Sequence, residues 1–242
     1  MFKHQGIWLP DGERHFPEWM TENGELVAGR GTYQIRKWRS CIPHIKRWRR
    51  AVDVGAHVGF WSIQMDNHFE AVDAFEPVEQ FRDCWVANLA ENNGTASHIE
   101  LHDVALGNPS YPRTKGTVAE TAREHVMMEI PSMGTGIDSG GTHVSDQEPD
   151  ELDGTAVPLY GLDEFGYKDL DFIKIDCEGF EDEVIAGARE TLAFCKPCVI
   201  VEQKPHKLHN FGRKGTPAVD ILVGLGAVVR KEISGDYILS WA

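Results

Sequence analysis

From Arg50 onward, short apolar segments alternate with amphipathic ones, and this alternation restricts the fold more than any other feature of the chain. Strands are predicted at 51–54, 71–75, 99–101, 171–176 and 199–202, and helices at 58–68, 78–92, 181–192 and 216–224. The helix at 78–92 is the clearest, because Phe81, Trp85 and Leu89 share one face. Strands that alternate with helices predict a mostly parallel α/β sheet with helices on both faces. The last two strands, 227–231 and 237–240, are joined by a short turn and predict a C-terminal antiparallel hairpin.

Two regions lie outside this alternation. Residues 1–49 carry turn signals at 10–12 and 22–24, which predict a hairpin or two and a helix as an N-terminal extension. Segments 116–119 and 125–130 could pair as strands. The stretch 134–154 then has five glycines and six acidic residues without a Lys or Arg, and it predicts a long insertion loop at about 131–155. A connection of this length is often either a functional lid or mobile.

Charge and cysteine content limit the possible partners and the compartment. The net charge of −14 argues against a general nucleic-acid-binding protein. Between Leu26 and Val52, however, there are eight basic residues, no acidic residue and the indoles of Trp38 and Trp48. This stretch could pack its tryptophans on the core, which we favour, or bind an anionic or sugar-bearing substrate. Five cysteines, an odd number, favour reduced thiols. With no apolar run long enough for a membrane span or a signal peptide, we expect a soluble cytoplasmic protein without a membrane partner.

The segment AVDVGAHVGFWS at 51–62 is the first candidate site. A strand ends near Asp53, and Gly55 and Gly59 flank a tight turn that contains Ala56 and His57. Ligands bind at such strand ends in open α/β sheets. A dinucleotide fingerprint needs GxGxxG, whereas this loop reads DxGxxxG. An acid at Asp53 would repel pyrophosphate and suits the amino group of a methionine moiety.

The next two strand ends extend this site. Glu76 follows Asp53 by 23 residues and precedes Pro77, and an acid at about this distance is placed to accept both ribose hydroxyl protons. After the third strand, Asp103 could accept from an adenine amine. Val104 and Ala105 would pack on the adenine ring.

Polar residues interrupt the buried strand in DFIKIDCEGFE, at 171–181. Lys174, Asp176 and Glu178 alternate with apolar residues, and polar groups in such a strand are costly unless paired or used in function. They predict either a functional strand end or an internal Lys174–acid pair. The strand at 199–202 brings Glu202 to the same edge, with His206 just beyond it.

These motifs together are similar to those of the FkbM-type family of class I methyltransferases. The resemblance rests on VDVGAHVGFWS, AFEPVEQF, DVALGN, LDEF, DFIKIDCEGFEDEVIAGARETL and PCVIVEQ, and it covers about residues 50–203. It implies a Rossmann-like methyltransferase domain at 50–242 and S-adenosylmethionine as the cofactor, with S-adenosylhomocysteine as product. It also implies O-methylation of a hydroxyl on a sugar-containing or other small-molecule acceptor, and cofactor contacts at Asp53, Gly55, Gly59 and Glu76. Asp176 and Glu178 match the acidic motif of the family.

The expected chemistry places Asp176 beside the cofactor as the first candidate for the base that removes the acceptor proton. Glu202 and His206 are further candidates, and Lys174 could stabilise charge. We expect no metal; if one assists, Asp176, Glu178 and Glu202 would hold it. The alternatives are a nucleic-acid methyltransferase, a nicotinamide-dependent oxidoreductase and a non-catalytic binding module. Neither the acceptor nor the oligomeric state follows from the sequence.

Overall fold

The computed structural model describes residues 1–93, 98–110, 125–133, 136–145 and 155–242, and it begins with two hairpins and two helices. These elements are β1 (Phe2–His4), β2 (Ile7–Leu9), α1 (His15–Asn23), β3 (Leu26–Val27), β4 (Arg30–Gly31) and α2 (Ile35–Cys41). The two hairpins turn at Gln5-Gly6 and Ala28-Gly29, where both residues have positive φ. Such turns match the twist of paired strands. The turn signals at 10–12 and 22–24 instead flank α1.

The strands of the predicted alternation form one seven-stranded sheet. The first half of the alternation comprises β5 (Arg50–Val54), α3 (Phe60–Asp66), β6 (Ala71–Phe75), α4 (Glu79–Asn93) and β7 (Ile99–His102). After β8 (Ala105–Leu106) come the strands of the insertion, β9 (His125–Glu129), β10 (Ser132–Met133), β11 (Gly136–Ile137), β12 (His143–Ser145) and β13 (Thr155–Tyr160). The second half comprises β14 (Leu170–Ile175), α5 (Glu181–Ala186), α6 (Arg189–Cys195), β15 (Cys198–Glu202), α7 (Pro205–Leu208), α8 (Pro217–Gly224), β16 (Val228–Ile233) and β17 (Asp236–Ser240).

The strand order is β16-β17-β15-β14-β5-β6-β7, and of these strands only β17 runs antiparallel to the rest. This is the predicted Rossmann-like sheet with a C-terminal hairpin. Residues of β5 alternate between two apolar clusters, since Val52 and Val54 belong to one and Ala51 to another. The first cluster includes α5 and α8 and the second includes α2 and α3, so helices cover both faces as predicted. The order reverses between β5 and β14, and ligands bind at such a switch point.

The predicted helix at 181–192 is two helices, α5 and α6, that meet at Gly187. A Cβ at Gly187 would lie 1.9 Å from the carbonyl oxygen of Gly107. The chain therefore bends where two backbones touch, a tertiary contact that helical periodicity does not encode.

The segment predicted as a loop is partly β-structure in its described part. Strands β12, β9, β13 and β8 form a four-stranded sheet, and β10 pairs with β11. The strand predicted at 125–130 is present as β9, but it pairs with β12 and β13. Its predicted partner at 116–119 lies outside the described residues, as do 134–135 and 146–154 of the loop.

The basic stretch before β5 packs its indoles on the core, the interpretation that the sequence favoured. Trp38 is buried beside Trp61 and Phe172. Arg49 binds Asp171 through two guanidinium hydrogen bonds of 2.9 and 2.8 Å. In the described part of the chain, no helix is long and apolar enough to cross a membrane.

Candidate cofactor and active site

A cavity of about 570 Å³ opens at the carboxyl ends of β5, β6, β14 and β15. This volume is in the range of small-molecule sites. Twelve of the residues singled out from the sequence line it: Gly55, Ala56, His57, Glu76, Pro77, Val104, Ala105, Lys174, Asp176, Glu178, Glu202 and His206. Residues 15, 16 and 33 of the N-terminal segment and 128, 131 and 138–144 of the insertion also line it. We call these residues from the N-terminal segment and the insertion the roof of the cavity.

The two glycines of the 51–62 motif serve different contacts. Gly55 has φ +70°, and a Cβ there would lie 2.2 Å from the carbonyl oxygen of Asp176. Only glycine lets the ends of β5 and β14 approach so closely. Gly59 has φ +93° and packs against Trp85, whose Cδ1 would be 2.9 Å from an added Cβ. Gly59 therefore shapes the turn from behind and does not line the cavity.

Asp53 lies beneath the cavity wall, although the sequence predicted a cofactor contact. Its side chain is fully buried and accepts a 2.7 Å hydrogen bond from Ser62 Oγ. Lys174 Nζ lies 3.5 Å from Asp53 Oδ1 and donates to the carbonyl oxygens of Val54 (3.1 Å) and Gly55 (2.6 Å). Burial lowers the pKa of Lys174, but the carboxylates of Asp53 and Asp176 outweigh it and raise the pKa. The predicted Lys174–acid pair is therefore present, and it fixes the loop.

Glu76 presents its carboxylate at the end of β6. Its Oε2 accepts from the backbone N–H of His57 at 2.8 Å, and its Oε1 accepts from Val78 N at 2.9 Å. Burial raises the pKa of Glu76 to about 7, against the opposing effect of these two hydrogen bonds. A carboxylate oxygen has two lone pairs, so each oxygen can also accept from a ligand hydroxyl.

The predicted adenine contacts divide into two groups. Val104 and Ala105 line the cavity as apolar wall residues. Asp103 is exposed to solvent and lies off the cavity wall. The predicted hydrogen bond from an adenine amine to the Asp103 carboxylate therefore finds no support in the structure. Asp103 lies between β7 and β8, where the chain passes from the seven-stranded sheet to the four-stranded sheet.

Asp176 follows β14 directly and is partly exposed to the cavity. Burial raises its pKa, but the surrounding ammonium groups, led by Lys174 and Lys207, outweigh burial and lower the pKa to about 2. Asp176 is therefore an ionised carboxylate at any physiological pH. It can accept hydrogen bonds from a ligand.

Glu178 and Glu202 share one ammonium group. Lys207 Nζ bonds to Glu178 Oε1 and lies 2.6 Å from Glu202 Oε2, and Lys204 Nζ bonds to Glu202 Oε1. Burial, with Asp176 nearby, raises the pKa of Glu178 to about 8 despite Lys207. His206 lies at the cavity edge and is exposed.

Among the described residues, one carboxylate oxygen from each of Asp176, Glu181 and Glu202 lies within 4.8 Å of the other two. The predicted metal set contained Glu178 in place of Glu181. Glu181 Oε1 accepts from the N–H groups of Cys177 and Gly179, both at 3.0 Å, and Glu181 Oε2 accepts from Gln203 Nε2 at 3.2 Å. Glu181 thus closes the turn after β14.

The sequence did not identify the aromatic part of the roof. Tyr33 packs against Phe16, Trp19 and Phe60, with ring centroids 4.6–5.4 Å apart. Burial, together with the nearby Asp176, raises the pKa of Tyr33, so its phenol stays protonated. Tyr33 lies two residues before the start of α2, and no local pattern marks it as part of a site.

Comparison with known structures gives methyltransferases with similar architecture. The FkbM methyltransferase of Methylobacillus flagellatus is 16% identical, with a TM-score of 0.46 over 81% of this chain, which spans only 44% of that protein. A putative methyltransferase of Streptococcus mutans, solved with S-adenosylhomocysteine, is 6% identical, with a TM-score of 0.48 and coverage of 86% and 96%. Magnesium protoporphyrin IX methyltransferase of Synechocystis is 10% identical, with a TM-score of 0.45 and coverage of 86% and 80%. No curated protein matches the sequence.

The sequence model of the Methyltransferase FkbM domain matches residues 53–223, more than two thirds of the chain. This match includes the glycine loop, Glu76 and the whole acidic strand end, and it excludes the whole N-terminal segment. The match overturns the nicotinamide oxidoreductase alternative. The DxGxxxG spacing of the loop already argued against a dinucleotide site. The chain belongs to the FkbM family of S-adenosylmethionine-dependent methyltransferases, as its motifs predicted.

Proposed function

We propose that this enzyme transfers a methyl group from S-adenosylmethionine to a hydroxyl of a small-molecule acceptor, such as a sugar derivative. The observation that carries this proposal is one roofed cavity that contains both Glu76 and Asp176. The ribose hydroxyls of the cofactor need a hydrogen-bond acceptor such as the Glu76 carboxylate. The hydroxyl that receives the methyl group needs a base such as the Asp176 carboxylate.

Strand ends of the sheet supply the residues that would hold the cofactor. The Glu76 carboxylate would accept from the ribose hydroxyls, and the apolar wall of Val104 and Ala105 would contact the adenine. Gly55 and Ala56 would bring the backbone close to the ligand. When bound, S-adenosylmethionine supplies an electrophilic methyl group on a sulfonium centre.

The roof supports a small acceptor. Residues from the N-terminal segment and the insertion line the cavity together with the strand ends. A methyl acceptor must therefore fit in the space between the roof and the strand ends. The net charge of −14 also works against phosphate-rich polymers. We therefore place nucleic-acid methylation second.

Asp176 is our first candidate for the base. Its position at the end of β14 and its ionised state let it accept the hydrogen bond, and then the proton, of the acceptor hydroxyl. Glu202 is held by two lysines and is the weaker candidate, whereas His206 is accessible at the cavity edge. The donors of Lys174 point at loop oxygens, so we assign it the task of holding the loop.

Methyl transfer to a panel of hydroxyl acceptors tests the proposed function. The purified protein would be incubated with S-adenosylmethionine and monosaccharides, nucleotide sugars, phenols or a short RNA, and products would be identified by mass spectrometry. We expect a product 14 mass units heavier, with the methyl on oxygen, from one small-molecule class. Methylation of the RNA alone, or of nitrogen or carbon alone, would contradict the proposal.

Cofactor affinity is expected to depend on pH through Glu76. Because its pKa is about 7, the carboxylate is mostly protonated at pH 6 and mostly ionised at pH 8. If only the ionised form accepts from both ribose hydroxyls, S-adenosylhomocysteine should bind about tenfold more tightly at pH 8 than at pH 6. Calorimetric titration at both values measures this, and Glu76→Gln should remove the difference. An equal pH dependence in Glu76→Gln would assign it to another group.

Methyl transfer is expected to survive removal of divalent cations. A cation on the acids around Asp176 would have to compete with Lys204 and Lys207, which already neutralise Glu202. We therefore expect turnover in EDTA within about twofold of the untreated rate, a change below about 0.5 kcal/mol. Loss of activity that added Mg²⁺ restores would show that a metal participates.

A further inference from the structure

Three side chains link the roof to the cofactor loop. Glu13 comes from the N-terminal segment and Ser139 from the insertion, and they are 4% and 2% exposed. Glu13 Oε2 accepts from the backbone N–H of Ser139 at 2.9 Å and from its hydroxyl. Ser139 Oγ lies 2.8 Å from Nε2 of His57, in the middle of the loop.

The donors and acceptors in this chain of hydrogen bonds fix the position of each proton. The Glu13 carboxylate only accepts, and its Oε1 also accepts from the backbone N–H of Phe16 at 3.0 Å. The Ser139 hydroxyl hydrogen therefore points at Glu13, and its oxygen can only accept from His57. His57 must carry its proton on Nε2. Burial, with Lys174 nearby, lowers the pKa of His57 to about 3, so the ring stays neutral.

The backbone of His57 connects this chain to Glu76. His57 has φ +52°, a left-handed conformation that costs about 1–2 kcal/mol per residue for most side chains. In that conformation its backbone N–H donates to Glu76 Oε2 at 2.8 Å. The ring also packs on Phe81 and Phe16, with centroids 4.6 and 5.0 Å away. The His57 side chain is thus anchored to Ser139, Phe16 and Phe81 while its backbone binds Glu76.

We propose that Glu13 and Ser139 are positioning residues for the cofactor, which act through His57 to aim the Glu76 carboxylate at the ribose hydroxyls. The inference rests on the assignment of Glu76 to the ribose in the proposed function. It also gives the roof a role in cofactor binding: the N-terminal segment and the insertion hold the strained loop residue in its left-handed conformation. Glu13 lies outside the region that the family model matches.

Ser139→Ala tests the proposal most cleanly, because it removes the bond to His57 while the Ser139 backbone N–H can still bind Glu13. Calorimetric titration would compare S-adenosylhomocysteine with its 2′,3′-dideoxy analogue. We expect the variant to bind S-adenosylhomocysteine about fivefold more weakly than wild type, and the analogue within about twofold of wild type. An equal loss for both ligands, or no loss for either, would overturn the proposal.

A second variant separates positioning from general support of the fold. His57→Asn removes the imidazole that Ser139 contacts, so in this background the Ser139 hydroxyl has no ring through which to act on the loop. We expect Ser139→Ala to cost less than about twofold in the His57→Asn background. A full fivefold cost there would contradict action through His57.

Nitrogen NMR of His57 in the intact protein provides an independent readout. The wild type should show the neutral Nε2–H tautomer at pH 7, and Ser139→Ala and Glu13→Gln should shift or broaden its signals. The Nδ1–H tautomer in wild type would overturn the proposal. Titration of Glu76→Ala with S-adenosylhomocysteine separates the ribose assignment of Glu76 from the positioning role of Glu13 and Ser139. If Glu76→Ala binds this ligand normally, the ribose assignment fails. If Glu76→Ala binds it weakly while Ser139→Ala binds it normally, only the positioning role fails.

Discussion

Asp176→Asn is expected to lower the rate of methyl transfer by about 10²–10⁴-fold on the acceptor that the hydroxyl panel identifies, the usual contribution of a base. The amide can still hydrogen-bond to a ligand, but it cannot take a proton. The substitution also removes the negative charge near Lys174 and Lys207. Because proton removal is needed for turnover and not for binding of S-adenosylhomocysteine, the fall in kcat should exceed any loss of affinity for that ligand. Steady-state kinetics measure the first quantity and calorimetry the second.

A matched variant controls for the change from carboxylate to amide. Asp103→Asn alters an exposed acid just beyond β7 that lies off the cavity wall, so both kcat and cofactor affinity should stay within about twofold of wild type. Normal turnover in Asp176→Asn would show that the base lies elsewhere, and His206→Gln would then be the next variant to measure. A large loss in Asp103→Asn would restore the adenine contact that the structure does not support.

Gly55→Ala is expected to have the second large effect, on stability and on cofactor binding together. Its Cβ would lie 2.2 Å from the Asp176 carbonyl oxygen, which forces the ends of β5 and β14 apart. Left-handed strain and overpacking together should lower the free energy of unfolding by about 2–4 kcal/mol. Affinity for S-adenosylhomocysteine should fall as well, because the displaced loop carries the backbone N–H of His57 that holds the Glu76 carboxylate.

Gly166→Ala separates strain from collision. Gly166 also has positive φ, +65°, but an added Cβ meets nothing within 4 Å. It should cost only about 1 kcal/mol and leave cofactor binding unchanged. Urea denaturation and calorimetry compare the two variants. If Gly55→Ala behaved like Gly166→Ala, the close approach of the two strand ends would not be essential.

The sequence predicted the central sheet well because each buried strand and its helix carry a local periodic signal. Strand 71–75 has the predicted bounds, and the other sheet strands differ by one or two residues at their ends. Residues that stand at those strand ends, such as Glu76 and Asp176, were therefore placed at the cavity. The break at Gly187 was missed because its cause is a contact with Gly107, 80 residues earlier in the chain.

Orientation at a strand end is harder to predict than position. Asp53 lies one residue before the end of β5 and Asp103 directly follows β7, yet the first faces inward to Ser62 and the second faces solvent. Whether such a side chain faces inward or faces solvent depends on its hydrogen-bond partners, and those partners come from other secondary-structure elements. Composition likewise identified 134–154 as a loop but could not show that Ser139 bonds to Glu13, 126 residues away.

A crystal structure of the complex with S-adenosylhomocysteine would test the central claim most directly. The account predicts both ribose hydroxyls on the Glu76 carboxylate and the adenine against Val104 and Ala105. It also predicts that the sulfur faces the space in front of Asp176, beneath Tyr33. Electron density for the ligand outside this cavity, or with its sulfur directed away from Asp176, would contradict the account.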